Sequence, residues 1–388
     1  MARILITGGA GFIGSHTAQS LVEAGHQVCV LDSLDAQVHG DAGQWPGYLN
    51  PQVRTVRGDV RDPAAVAKAI EGAEIVFHFA ALTGVGQSMY EMQRYVDTNV
   101  RGTAVLLDAL AARQRRGGGA VGLRRLVLAS SRAVYGEGTF ACSHCGEVYP
   151  GVRARQALEA GDFAVHCPRC HREVTPVPTR EDRPCTPISI YGSTKLHQED
   201  YCRQAAQAHG LPVTCLRYFN VYGSRQALSN PYTGVVSVFY GRLRAQEPVS
   251  LYEHGLPLRD FVHVKDVVQA NLLAMEADVA PGTCINIGSG QDHRIRELAE
   301  ILRDLAGSPS VLLDTGKFRA GDVWACGADL TRARKLLGYE PRVSLREGLG
   351  EVLDWADRQQ LVDRSAQAEA ELLDHGLLGQ AAAGVHHG

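Results

Sequence analysis

The sequence predicts an α/β fold: a doubly wound parallel sheet, a smaller C-terminal domain, and a four-cysteine insertion within the first domain. Three observations carry this. Short β-branched runs alternate with helical patterns through the first half of the chain. A glycine-rich turn joins the first such strand to the first such helix. Two Cys-x-x-Cys pairs interrupt the alternation in one place.

Taken in order, residues 4–6, 28–31, 53–56, 75–79 and 126–129 read as strands, with helices at 12–24, 62–71 and 90–113. The helix at 62–71 has the clearest start, Asp62 as N-cap and Pro63 at the first helical position. The Gly/Arg-rich stretch Arg113 to Gly122 reads as a solvated loop, and 137–180 as an insertion. Helix and strand resume at 190–210 and 213–219, closing a dinucleotide-binding domain over 1–222. From 223 to about 360 the pattern turns irregular, as expected of a smaller substrate domain, with segments such as 260–288 able to return to the first. Residues 361–388 read as a frayed tail, in which His386 and His387 are not ligands.

The chain has 388 residues, 45% apolar and 21% charged, an ordinary globular composition. Lys plus Arg number 39 against 42 Asp plus Glu, a net charge of −3, which argues against nucleic acid or an anionic membrane as partner. No apolar run reaches the ~20 residues of a membrane span. Met1 leads straight into a strand without a signal-peptide pattern, so a cytoplasmic location is expected. Of ten cysteines, those at 29, 185, 202, 215, 284 and 326 read as small buried apolar residues.

Thr7-Gly8-Gly9-Ala10-Gly11-Phe12-Ile13-Gly14 lies at the strand–helix junction. Gly8, Gly11 and Gly14 permit a tight turn, close backbone approach to a pyrophosphate, and close helix–strand packing, while the helix start offers N–H donors to the anion. Asp32 closes the second strand, 18 residues after Gly14. A carboxylate there can hold both ribose hydroxyls of NAD and would repel the 2′-phosphate of NADP, and no Arg or Lys follows at 33 or 34. Farther on, Tyr191-Gly-Ser-Thr-Lys195 puts a phenol and an ammonium four apart on one helix face. A cation beside a phenol stabilises phenolate, which allows proton transfer near neutrality. Ser130-Ser131-Arg132-Ala133-Val134-Tyr135-Gly136 follows the fifth strand, so both segments are expected at the carboxyl edge of the sheet.

With these motifs in place the chain resembles the extended short-chain dehydrogenase/reductases of the nucleotide-sugar epimerase/dehydratase family, and is similar to the UDP-galactose 4-epimerases among them. The resemblance continues in Gly58-Asp59-Val60, His78-Phe79-Ala80-Ala81, Asn99-Val100-Arg101-Gly102-Thr103, Leu216–Gly223, Arg259–Asp266 and Arg319-Ala320-Gly321-Asp322, and covers residues 1 to about 360 apart from the insertion. It implies a Rossmann domain that binds NAD and a nucleotide-diphosphate sugar as substrate. Tyr191 is then the catalytic base, Lys195 its activator and a nicotinamide-ribose ligand, and Ser131 a hydrogen-bond partner of the sugar hydroxyl. Asp59 and Val60 would meet the adenine side and Tyr218 the nicotinamide side of NAD. Phe12, Ile13, Ala80 and Asn99 complete the cofactor set. Asn220, Arg259 and Arg319 match positions that hold the substrate diphosphate or nucleotide, and Thr83 stands where galactose epimerases carry a lysine. A homodimer, through helices near 90–113 and 190–209, is also implied.

Cys142-Ser-His-Cys145 and Cys167-Pro-Arg-Cys170 are 21 residues apart, close to the spacing of a four-cysteine structural zinc site, which leaves no coordination position open for catalysis; redox-active pairs or unrelated thiols are the alternatives. Residues 137–180 hold five Arg and five Asp/Glu, so this ribbon-like insert lacks the charge of a nucleic-acid binder. Its stems return to the active-site edge, which suggests a metal-clipped flap over the sugar pocket. Reaction class is read from two absences. Dehydrating relatives carry an Asp-Glu pair just before Val-Tyr-Gly, where this sequence has Arg132 and Ala133, neither a proton carrier. The expected activity is therefore NAD-dependent C4 epimerisation through a transient 4-keto sugar. A 4,6-dehydratase or other oxidoreductase on this scaffold is the alternative, and a non-catalytic NAD-sensing or zinc-ribbon binding protein is more remote.

Overall fold

Short apolar runs, buried on both faces of the sheet, form seven parallel strands at the centre of the molecule: β1 (Arg3–Thr7), β2 (Gln27–Asp32), β3 (Arg54–Arg57), β4 (Ile75–His78), β5 (Arg125–Ser131), β6 (Val213–Tyr218) and β7 (Thr283–Ile287). The computed structural model describes residues 1–40, 43–115, 122–228, 230, 232, 234–359 and 364–382. The strand order is β7-β6-β5-β4-β1-β2-β3. The chain winds from β1 to one edge and then from β4 to the other, so the crevice above the carboxyl ends of β1 and β4 is the switch point where such sheets take ligands.

Helices α1 (Phe12–Glu23), α2 (Pro63–Ala69), α3 (Gly102–Arg115), α4 (Ile190–His209) and α5 (Val264–Glu276) cover the two faces. Ile4, Ile6, Val30, Ile75 and Phe77 pack with Ala18 and Leu21 of α1 and with Val267 and Ala270 of α5. Leu5, Leu31, Val76, Leu126 and Leu128 pack with Val66 of α2, Leu106 and Leu110 of α3 and Cys202 of α4. Each such aliphatic side chain contributes about 1.5–3 kcal/mol by leaving water. The helix starts follow their sequence signals: Asp62 accepts the Ala64 N–H at 2.9 Å, and Ser189 accepts that of Gly192 at 3.1 Å. Gly210, left-handed at φ 65°, ends α4.

The second domain has its own core, with Phe239, Leu243, Leu298, Leu302, Leu349 and Val352 buried together. The segment expected to return to the first domain does so, through α5 and β7. Leu330, Ala333, Leu337 and Tyr339 return as well, which the sequence reading did not anticipate. The insertion forms a three-stranded antiparallel sheet of Gly146–Val148, Thr139–Cys142 and Thr175–Val177. It is braced against the second domain. The Glu137 carboxylate accepts the N–H groups of Trp324 and Ala325 at 2.9 and 2.8 Å, and Arg153 pairs with Glu253 at 2.5 Å with both side chains more than nine-tenths buried.

One expectation is corrected for residues 364–382, which are not a frayed tail. Ser365–Asp374 is a helix that buries Ala368 and Leu372, and Leu378–Gln380 pairs antiparallel with Lys317–Arg319. The apolar pair four residues apart, with Gly376 at φ 66° just beyond, is a local helix-and-stop signal. Helix α3 runs through Arg115. The rest of the expected Arg113–Gly122 loop, residues 116–121, and residues 383–388 with His386 and His387 lie outside the described residues.

Candidate active site

A cleft of about 500 Å³ opens above the switch point, and the glycine loop, Asp32, Ser131, Tyr191 and Lys195 all line it. Gly8 has φ 69°, and a Cβ there would lie 2.7 Å from the Ala80 nitrogen, so only glycine lets the loop touch the start of the next crossover. At Gly14 a Cβ would overlap the Gly8 carbonyl, which holds the helix flush against the loop. Gly11, Phe12, Ile13 and Gly14 thus bring the first turn of α1, whose N–H groups lack intrahelical partners, to the cleft. Asp32 is fixed by the N–H of Ala10 at 3.0 Å and of Leu34 at 2.9 Å. A carboxylate has about four acceptor sites, so capacity remains for ribose hydroxyls.

Asp59, Val60, Ala80, Thr83, Tyr218 and Asn220 also line the cleft. Asp59 is anchored by Arg61, whose hydrogen bonds hold its carboxyl below the usual range. The Tyr218 hydroxyl donates to Asn271 at 2.6 Å, which presents the ring face rather than the phenol to the cleft. Asn220 Oδ1 is buried without a hydrogen-bond partner, an acceptor suited to a ligand donor.

Ser131 ends β5, and Tyr191 opens α4 with its N–H donating to Ser88 at 3.0 Å. The Ser131 hydroxyl and the Tyr191 phenol face the same cleft. Burial pushes the Tyr191 phenol up, while the Ser131 hydroxyl and the Arg132 charge pull it down. Lys195 is turned to the sheet, its Nζ donating to the Ala129 carbonyl at 2.8 Å, and burial lowers its pKa to about 7. The cation acting on the phenol in this arrangement is Arg132, which the sequence reading treated only as a missing acid.

Three sequence-nominated residues stand away from the cleft lining. Asn99 is fully buried, bonded to the Leu82 backbone at 2.8 and 3.1 Å and to Thr194 at 3.0 Å, so it positions the strap after β4 against α4. Arg259 is spent on the Leu258 and Trp324 carbonyls and on Asp322 at 2.9 Å. Arg319 is exposed and lies over the Tyr252 ring. Two cleft features went unread in the sequence. Tyr232 lines the cleft and donates to Glu371, and Arg94 also lines it, paired with Asp35 and Glu91. Neither belongs to a local motif that could have pointed to it.

The sulfurs of Cys142, Cys145, Cys167 and Cys170 all lie within 4.8 Å of one another. Four thiolates around one zinc at ~2.3 Å would sit about 3.8 Å apart, and Cys142 and Cys170 are at 3.5 Å. The amides of His144 and Cys145 point at the Cys142 sulfur, and those of Arg169 and Cys170 at the Cys167 sulfur. That donor set fits a closed tetrahedral metal site.

A sequence profile described as "NAD dependent epimerase/dehydratase family" matches residues 4–152 and 167–288. The chain is 37% identical over 356 residues to dTDP-L-rhamnose 4-epimerase of Burkholderia thailandensis, covering 91% of this chain and 94% of that one. Among solved structures it resembles UDP-glucose 4-epimerase of Thermotoga maritima with UDP-glucose (31% identity, TM-score 0.72, 92% of this chain and 99% of that one). It also resembles UDP-glucuronic acid 4-epimerase of Bacillus cereus in complex with UDP-glucuronic acid and NAD (26%, TM-score 0.73, 92% and 99%). Among the described residues, no helix is long and apolar enough to cross a membrane.

Proposed function

The chain belongs to the NAD dependent epimerase/dehydratase family, and on that premise we propose that it is an isomerase, an NAD-dependent 4-epimerase of a nucleotide-diphosphate sugar. The observation that carries this is that Ser131, Tyr191 and Lys195 line the same cleft as the glycine loop and Asp32. NAD, when bound along that loop, supplies a reversible hydride acceptor. Ser131 orients the C4 hydroxyl and Tyr191 takes its proton, leaving a transient 4-keto sugar. Tyr191 returns the proton once the sugar has presented its other face. Lys195 holds the β5 edge in place and offers its remaining donors to the nicotinamide ribose. Ala133 cannot carry a proton and Arg132 remains charged, so dehydration lacks an acid–base pair beside the sugar.

Structural zinc on Cys142, Cys145, Cys167 and Cys170 is part of the same proposal, supported by the sulfur geometry. A homodimer is supported by Met92 and Val96, apolar and about half exposed at the start of the helical stretch leading into α3.

The test is incubation of the purified protein with a panel of nucleotide sugars, read by mass spectrometry and NMR. An isomer of unchanged mass should form without added cofactor and approach the same ratio from either epimer. A product lighter by one water, or stoichiometric NADH, would sink the reading.

A further inference from the structure

Three arginines line the cleft: Arg61, Arg94 and Arg132. Arg61 is neutralised by Asp59 and Asp97, and Arg94 by Glu91 and Asp35. Arg132 has no hydrogen-bond or ion-pair partner among the described residues. It follows Ser131 directly, at the start of the short helix Arg132–Tyr135, and lines both the main cleft and a narrow recess formed with Gly136, Ser189, Gly321 and Asp322. The nearby acid is already engaged, since Asp322 accepts from Arg259 at 2.9 Å and from the Val323 N–H at 2.8 Å. Burial and the Arg259 charge together push the Arg132 guanidinium below its usual range. A half-buried cation without a counter-charge is stabilised when an anion enters beside it. The five donors of a guanidinium suit an anionic oxygen in that position.

Resting on the epimerase reading, we propose that Arg132 is a specificity-determining residue that donates to an anionic oxygen of the nucleotide sugar on the Tyr191 side of the cleft. Two parts of such a ligand present that chemistry: the sugar-side phosphate of the diphosphate and the C6 carboxylate of a uronic acid. Arg259, whose two terminal nitrogens are both engaged within the protein, leaves this task to Arg132.

The holoenzyme and its Arg132→Gln and Arg132→Lys variants are compared by calorimetry with UDP, dTDP, their glucose conjugates and UDP-glucuronate, and NAD content is measured alongside. For every ligand the wild type binds through Arg132, affinity should fall about tenfold or more in Arg132→Gln, with NAD content unchanged and partial recovery in Arg132→Lys. Equal weakening across all diphosphates assigns the phosphate, and weakening confined to UDP-glucuronate assigns the carboxylate. Unchanged affinity for every ligand, or no binding of any ligand by the wild type, overturns the proposal. Should Arg132→Gln fail to fold, Arg132→Lys decides: a severalfold rise in KM supports it, and an unchanged KM overturns it. Binding without epimer formation by the wild type would instead count against the epimerase reading while Arg132 stays tested.

Discussion

The cofactor wall of the cleft comes from segments that lie close together in sequence, each acting through its own backbone. Gly8 to Gly14, Asp32 and Asp59–Arg61 are set by a turn, a strand end and a local ion pair. The opposite wall, which carries Tyr232, is backed by contacts made across the chain. Arg153 of the insertion holds Glu253, Glu137 holds the backbone at 324–325, and Glu371 of the C-terminal helix accepts from Tyr90 and Tyr232. The first wall is a motif and the second is a set of long-range clamps. Changes in the first should act on cofactor or chemistry, and changes in the second on substrate affinity.

The largest expected effect falls where the two walls meet. Tyr191→Phe removes one hydroxyl from the cleft while keeping the ring that packs there. Turnover should drop ~10²–10⁴-fold, the usual worth of a positioned general base, with NAD content and melting temperature close to wild type. Near-normal turnover would remove Tyr191 from the mechanism.

The next test acts on the second wall alone. Cys142→Ser takes one ligand from the four-sulfur cluster, and the insertion should loosen as a local unit. Elemental analysis should read about one zinc per wild-type chain and little in the variant. KM for the nucleotide sugar should rise severalfold, because Glu137 and Arg153 no longer hold the 322–326 loop and Glu253 in place, while NAD content stays constant. A wild-type protein purified without chelator that carries no zinc, or loss of NAD together with zinc, would break the comparison.

The same contrast explains what the sequence made legible. The strands and the glycine loop were readable because apolar runs, helix caps and glycine spacing are local. Asn99 was expected to bind the cofactor and Arg259 the substrate, yet each side chain bonds within the protein. A motif records which residue recurs, and the partner that occupies it (Leu82 for Asn99, Asp322 for Arg259) lies elsewhere in the chain. Arg132 shows the reverse case. Its sequence context identified only a missing acid, while the absence of a partner, which makes it of interest, is a property of three dimensions. The helix at 365–374 was lost in a polar tail because it is short and its stability comes from docking rather than propensity.

The smallest predicted effect concerns that docked helix. Glu371 accepts from the Tyr90 hydroxyl at 3.0 Å and from Tyr232, and Gln367 donates to its other oxygen at 3.0 Å. The Tyr232 bond, with those of Gln367 and Tyr90, holds its carboxyl below the usual range. Tyr232 lines the cleft, and Tyr90 stacks on His375 with ring centroids 4.3 Å apart, so one carboxylate ties the tail both to a cleft residue and to Tyr90. Glu371→Ala should cost about 1 kcal/mol, since its partners are only partly buried and water replaces much of what is lost. KM for the nucleotide sugar should rise about twofold to fivefold, in keeping with that energy, and NAD content should not change. The sign with pH follows from the depressed carboxyl. Its stabilisation is fully present above the unfolded-state value of about 4.3 and is lost as pH falls through the folded-state value, so the difference in melting temperature between wild type and variant should shrink below about pH 4. A difference that persists undiminished in acid, or a KM that does not move, would show that the tail packs on the cleft without shaping it.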